Sequence, residues 1–300
     1  VTDDARQFRR EKAADHDHRT FHVRDSLSPV TASLRSRGVV KEMHENLEES
    51  KARDLLHLSL MGNFDLNYEG QCVLVAPAGQ RLLSLLALSR RALTREYTAE
   101  KLWPEAPGMR AAGCLRSTLW RLPKLDRPLV VATASTLHLS RDVETDLTAT
   151  EDILRRTIAW AERSAQRHPS DAPQPGVTLA DEALSSDLLP EAWDEWVVIE
   201  RERLHQMRLL ALESLALAHR SAGNFGQALD AGMRAVAGEP LRESAHRQVI
   251  ETYLAQGNTR EAIRHFEELR RLFRTELQLQ PSPQLCRRMA DAVEGRHTRP

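Results

Sequence analysis

The spacing of apolar residues changes three times along the chain. Residues 1–54 mix acids, bases and histidines with little apolar periodicity, and only Val39 to Lys51 has helical character, densely charged. Such a segment buries too little apolar surface to offset its ordering entropy, so it is expected to be a disordered extension. Order is expected from Leu55. Leu56-His-Leu-Ser-Leu-Met-Gly62 alternates with a period of two, as a half-buried strand does. Asn63 to Val75 continues in short extended runs broken by a turn at Glu69-Gly70. From Gly79 the period becomes helical: Leu82, Leu83, Leu85, Leu86 and Leu88 form one broad apolar face, with Arg81, Ser84, Arg90 and Arg91 off it. Thr98 is placed as the N-cap of a short second helix through Leu102-Trp103, which Pro104 stops. A third helix is expected from about Met109.

On that third helix Leu115, Leu119 and Leu122 fall on one side with Ala111 and Ala112, while Arg110, Arg116, Ser117, Trp120, Arg121 and Lys124 spread over the other. Pro123 limits its last turn. Leu-Val-Val-Ala-Thr-Ala-Ser-Thr-Leu-His-Leu (129–139) then reads as two extended runs folded into a hairpin. A basic helix followed at once by a β-hairpin is the reading end of a winged helix-turn-helix, which points to double-stranded DNA as a partner.

Beyond Glu144 the pattern is helical almost to the end. Ala149 to Arg167 is a first helix, His168 to Gly176 with its prolines a loop, and Leu189 to Ala222 a long apolar-periodic segment containing Trp193, Trp196 and Val197. Gly223-Asn224 followed by Gln227-Ala228-Leu229 is echoed 34 residues later by Gly257-Asn258 followed by Glu261-Ala262-Ile263. That period is the one of tetratricopeptide helix pairs. The fold class is therefore mainly α: a winged helix-turn-helix over residues 55–143 and an all-α, tetratricopeptide-like region over 146–295.

Charge sharpens this division. The net charge is −1, yet residues 55–142 carry 11 basic against 7 acidic side chains. A basic module tied to an acidic remainder suits a regulator that touches nucleic acid with one part only. The 3 cysteines are isolated, with no disulfide or zinc spacing, as in a reducing cytoplasm. No apolar run approaches the ~20 residues of a membrane span, and the polar N-terminus is unlike a signal peptide. His16, His18 and His22 read as a solvated tail and not as metal ligands, since nothing nearby would pre-organise a site. No HExxH, GxSxG or dinucleotide glycine pattern is present, so no enzyme activity and no cofactor are expected.

Several stretches together resemble the Streptomyces antibiotic regulatory protein (SARP) family: Leu102-Trp103-Pro104, Leu115-Arg-Ser-Thr-Leu-Trp-Arg-Leu122, Leu189-Pro-Glu-Ala-Trp-Asp-Glu-Trp-Val197 and Glu200-Arg-Glu-Arg-Leu204. The ending from Leu272 to Leu285, with Glu276-Leu277 and Pro281-Ser-Pro283, resembles the close of its bacterial transcriptional activation domain. The resemblance runs over roughly residues 55–290. It implies an OmpR-type winged helix ahead of a helical activation domain, tandem direct repeats as the DNA target, and recruitment of RNA polymerase, often at secondary-metabolite genes. Pro123 departs from the family pattern, and no Gly-rich Lys-Ser/Thr phosphate loop is present.

Arg116 and Arg110 are the leading candidates to read guanine edges, with Ser117 and Arg121 beside them and Lys124 on phosphate. Trp120 either packs on the sugar-phosphate or covers the domain edge. In the hairpin Thr133, Ser135 and Thr136 suit phosphate or minor-groove contact, and equally a plain solvated turn. Thr98, besides capping, has a helix N-terminus to offer a phosphate. Trp193, Trp196 and Tyr253 are assigned to helix packing. Two other functions fit the pattern less well: a tetratricopeptide-type interaction scaffold, and a repressor that blocks its promoter. A head-to-tail dimer on DNA is compatible with direct repeats.

Overall fold

The computed structural model describes residues 56–165 and 186–294, all within one unit spanning 53–300. The N-terminal extension, its three histidines and the 168–176 loop lie outside the described residues.

The alternation seen from Leu56 folds as expected. Strand β1 (Leu56–Ser59) buries Leu56 and Leu58 and turns His57 and Ser59 outward. It pairs antiparallel with β2 (Asp65–Tyr68), which joins β3 (Gln71–Cys72) through Glu69 and Gly70 at φ 52° and 75°. Two consecutive left-handed residues are what a two-residue hairpin loop needs, and Gly70 adopts that conformation without a Cβ clash. Helix α1 (Pro77–Ser89) carries the leucine face, with Leu82, Leu83, Leu85, Leu86 and Leu88 all buried. A short strand β4 (Leu93–Thr94) leads into α2 (Arg95–Leu102), then α3 (Gly108–Arg121), the hairpin β5 (Val130–Ala132) and β6 (Thr136–Leu139), and β7 (Val143–Thr145). β7 lies parallel to β1, completing a four-stranded sheet ordered β3-β2-β1-β7, while β4, β6 and β5 form a three-stranded one.

Among the described residues the second part is α4 (Asp146–Ala165), α5 (Glu195–Ser221), α6 (Phe225–Gly238), α7 (Glu243–Ala255), α8 (Thr259–Glu276) and α9 (Pro283–Glu294). The 34-residue echo is structural. Gly223 and Gly257 both take left-handed φ, 75° and 79°, and Asn224 and Asn258 each donate a backbone N–H back to the preceding helix, to His219 and Tyr253. The following alanines, Ala228 and Ala262, are completely buried. Small residues also set the spacing between α6 and α7, since a Cβ at Gly232 would meet Val249 Cγ2 at 2.9 Å.

The long apolar segment from Leu189 does not begin as helix. Leu189 has φ 42°, and α5 starts only at Glu195. Leu188 and Leu189 instead fill the core beneath β1, where Leu189 N–H bonds Leu60 O and Met61 bridges Leu188. Trp193, expected in helix packing, is 84% exposed, because it precedes the helix and faces outward. Trp196, in the first turn of α5, packs against both the winged-helix cluster around Leu82 and Leu115 and the cluster that the winged helix shares with the helical region, and Tyr253 packs against the cluster around Phe266 and Leu269. Among the described residues no helix is long and apolar enough to cross a membrane.

Candidate nucleic-acid interface

Helix α3 has two unlike sides. Ala111, Leu115 and Thr118 are buried against α1, α2 and β6, with Leu119 and Leu122 half-buried beside them. Thr118, not assigned to the core from its residue type, joins it through the same 3.6-residue period. The opposite side presents two ridges: Met109, Gly113, Arg116 and Trp120 on one, Arg110, Ser117 and Arg121 on the other. Apart from half-buried Gly113, all of these residues are exposed. Among the described residues Arg110, Arg116 and Arg121 have no ion-pair partner, so three guanidiniums face outward with their donors unengaged. Trp120 is 76% exposed, and Lys124 Nζ stands 6.0 Å from the centre of its ring. The helix ends at Arg121 with Leu122 turning to extended backbone ahead of Pro123, so Lys124 lies on the loop that leaves the helix and not on the helix.

The wing is a tight turn between β5 and β6. Thr133 N–H bonds Thr136 O at 2.9 Å, and the Thr133 hydroxyl lies 2.8 Å from that of Thr136 while accepting the Thr136 and Ser135 N–H groups. Both threonine hydroxyls thus hold the turn, and the Ser135 side chain sits exposed at its tip. Arg95, at the start of α2, ties the wing to the helices: its N–H donates to Ser135 O and its Nε to Thr133 O. That role was not read from the sequence, because a 38-residue contact leaves no local signal. A cleft of about 500 Å³ lies between α2, α3 and the wing, bordered by Arg95, Glu96, Glu100, Met109, Arg116 and Ala134.

Thr98 requires a correction. The N-cap of α2 is Thr94, whose hydroxyl accepts the Tyr97 N–H, while Thr98 lies inside the helix, fully buried, with its hydroxyl donating back to Thr94 O. A buried hydroxyl bonded to the preceding turn neither caps a helix nor reaches a phosphate. Glu96 in the first turn of a helix starting at Arg95 was the available signal for the earlier start. Met109, 91% exposed on the outer ridge, was also missed, although its apolar side chain off the core stripe was visible on the same wheel.

The opposite side of the winged helix docks on the helical region through charge. Arg81 on α1 makes a two-pronged pair with Asp194 at 2.6 and 3.1 Å. Glu151 on α4, only 2% exposed, receives Arg90 from the C-cap of α1, Arg203 from α5 and Arg155 from its own helix. Arg201 donates to the carbonyls of Leu188, Leu189 and Ala192, and Asp146 accepts the Leu60 and Met61 N–H groups. The Leu189–Val197 and Glu200–Leu204 stretches are thus the joint between the two parts.

Residues 146–293 match the bacterial transcriptional activator domain family. No curated protein matches the chain. Among solved structures it is similar to Mycobacterium tuberculosis EmbR in complex with a low affinity phosphopeptide, at 18% identity and a TM-score of 0.64, over 80% of this chain and 65% of that one. The likeness is one of fold, and the chain spans 65% of the length of that relative.

Proposed function

We propose that this chain, whose residues 146–293 match the bacterial transcriptional activator domain family, is a SARP-type transcriptional regulator that binds DNA sequence-specifically through α3 and activates transcription in the cytoplasm. Residues 55–143 serve as the DNA-binding domain and residues 146–295 as the activation domain that engages RNA polymerase, at promoters such as those of secondary-metabolite genes. The observation that carries this reading is the outward face of α3, where Arg110, Arg116 and Arg121 stand exposed and, among the described residues, without ion-pair partners beside an exposed wing.

A helix of this width enters the major groove, where a guanidinium spans guanine O6 and N7. Arg116 and Arg110, nearer the middle and start of α3, read bases. Arg121 and Ser117 support them, and Lys124 and Trp120 meet the sugar-phosphate beyond the helix end. Ser135 at the wing tip reaches the adjacent backbone. Two protomers lie head to tail on a direct repeat, which requires no two-fold interface.

Selection of the full chain on random duplexes tests this. The expected result is enrichment of a direct repeat with half-sites about 10–11 bp apart, with transcription from a promoter carrying it rising on addition of the protein. Weak, salt-sensitive binding without enrichment would overturn the reading in favour of an interaction scaffold, and a fall in transcription would mark a repressor.

A further inference from the structure

Gly113 sits in the middle of α3, well inside both ends, at the centre of the outward face between Arg110, Arg116 and Ser117. Glycine within a helix weakens it relative to alanine, so its presence calls for a reason. Three other helical glycines supply one internally, while Gly108 and Gly226, with nothing within 4 Å, lie in the first turns of α3 and α6 and not in a helix interior. A Cβ at Gly79 would come within 2.9 Å of Val75 Cγ1, at Gly232 within 2.9 Å of Val249 Cγ2, and at Gly238 within 3.2 Å of Leu209 Cδ2. At Gly113 the same Cβ would meet only the tip of Arg116, at 3.8 Å, an ordinary contact with a flexible side chain. Nor does the backbone demand glycine, since the residue lies in regular helix and not in the left-handed region.

No contact within the described chain explains this glycine, and it faces the side on which the exposed arginines stand. We infer that Gly113 is a specificity-determining residue whose missing side chain lets a base-pair edge of the DNA major groove approach the backbone of α3. The step rests on the DNA-binding reading above. A gap of one Cβ brings the helix axis closer to the base edges, which shortens the reach that Arg110 and Arg116 must span to a purine. It is also the shape that accepts the projecting methyl group of a thymine, the apolar feature of the major-groove edge. Met109, one turn earlier on the same ridge and 91% exposed, offers a second apolar surface beside that gap.

The inference makes stability and binding respond in opposite directions. Gly113→Ala raises the unfolding temperature of the full chain, because the helix gains a better former and nothing is displaced. The same variant loses at least tenfold in affinity for the duplex selected by the wild-type chain, while its affinity for an unrelated duplex stays unchanged. Gly226→Ala, at an exposed glycine near the start of α6 with nothing within 4 Å of its Cβ, serves as the control and leaves both affinities as they were. Specific binding by Gly113→Ala equal to or tighter than wild type would overturn the inference. An equal loss on both duplexes would overturn it as well, since the effect would then lie outside base reading. Failure of the wild-type chain to select any duplex is a separate result, and it removes the DNA-binding reading itself.

Discussion

Arg81 on α1 with Arg90 at its C-cap, and Arg110, Arg116 and Arg121 on α3, are the same side chain in two different settings. On α1 each guanidinium points at a carboxylate of the helical region: Asp194 for Arg81, Glu151 and Glu200 for Arg90. Lys101 follows the same pattern, 3.9 Å from Glu195. On α3 the arginines face away from the rest of the chain and have no ion-pair partner among the described residues. Positive charge on the winged helix is therefore not one property. Arg81, Arg90 and Lys101 join the two parts of the molecule, and the charge on α3 remains for an external polyanion. A count of basic residues does not separate these two uses; the fold does, by turning α1 inward and α3 outward.

The largest expected effect lies on the joint. Glu151→Ala removes a buried carboxylate shared by three guanidiniums and leaves them facing one another. Because those arginines are partly exposed, the loss is put at about 3 kcal/mol, the low end for breaking a buried ion pair. Chemical denaturation measures it, and a change below about 1 kcal/mol would show that the cluster is not a structural joint.

Acid acts on the helical array by a different route. His246 Nε2 lies 2.9 Å from Pro240 O and donates to it; with both rings uncharged, His246 Nδ1 accepts from His265 Nε2 at 3.0 Å. Burial, then the neighbouring His246, push His265 down to about 4 from the ordinary 6.5, with Glu268 opposing and Arg264 adding the smallest push. Burial likewise lowers His246, with Pro240 O, Glu268 and Glu243 opposing. Between these values the unfolded chain binds the proton and the folded one does not. Stability is thus full above about pH 6.5 and falls toward pH 4, by on the order of 3 kcal/mol for His265. Thermal unfolding against pH reads this out, and His265→Gln should flatten the dependence in that window.

The smallest effect belongs to Lys124. Its replacement by alanine should weaken binding to all duplexes alike and reduce the slope of log affinity against log salt by about 1. A loss confined to one sequence would move Lys124 from the phosphate to a base.

What could be read from the chain alone was periodic. The leucine face of α1, the two-sided character of α3, the wing and the Gly-Asn echo all rest on spacing within one element or between two copies of one. The misses have a common cause in distance along the chain. Thr98 was given the cap because it precedes an apolar pair, yet its burial is decided by packing of α2 on its neighbours. Trp193 and Trp196 are three residues apart and chemically alike; only the start of α5 at Glu195 puts one outside and the other between two cores. The ion pairs of the joint link residues 52 to 113 positions apart, and β1 pairs with β7 across a comparable span. No local pattern encodes those partners, although the Asp-Glu-Trp and Glu-Arg-Glu-Arg runs that supply them were conspicuous.

The most direct measurement is affinity for the selected duplex, compared across wild type, Arg116→Ala and Arg81→Ala at one salt concentration, with each variant shown to be folded. Arg116→Ala is predicted to lose tenfold or more, in line with the ~1–3 kcal/mol of a guanidinium–guanine pair, while Arg81→Ala binds within twofold of wild type. Equal losses in both variants, or none in Arg116→Ala, would contradict the division of the arginines between joint and DNA.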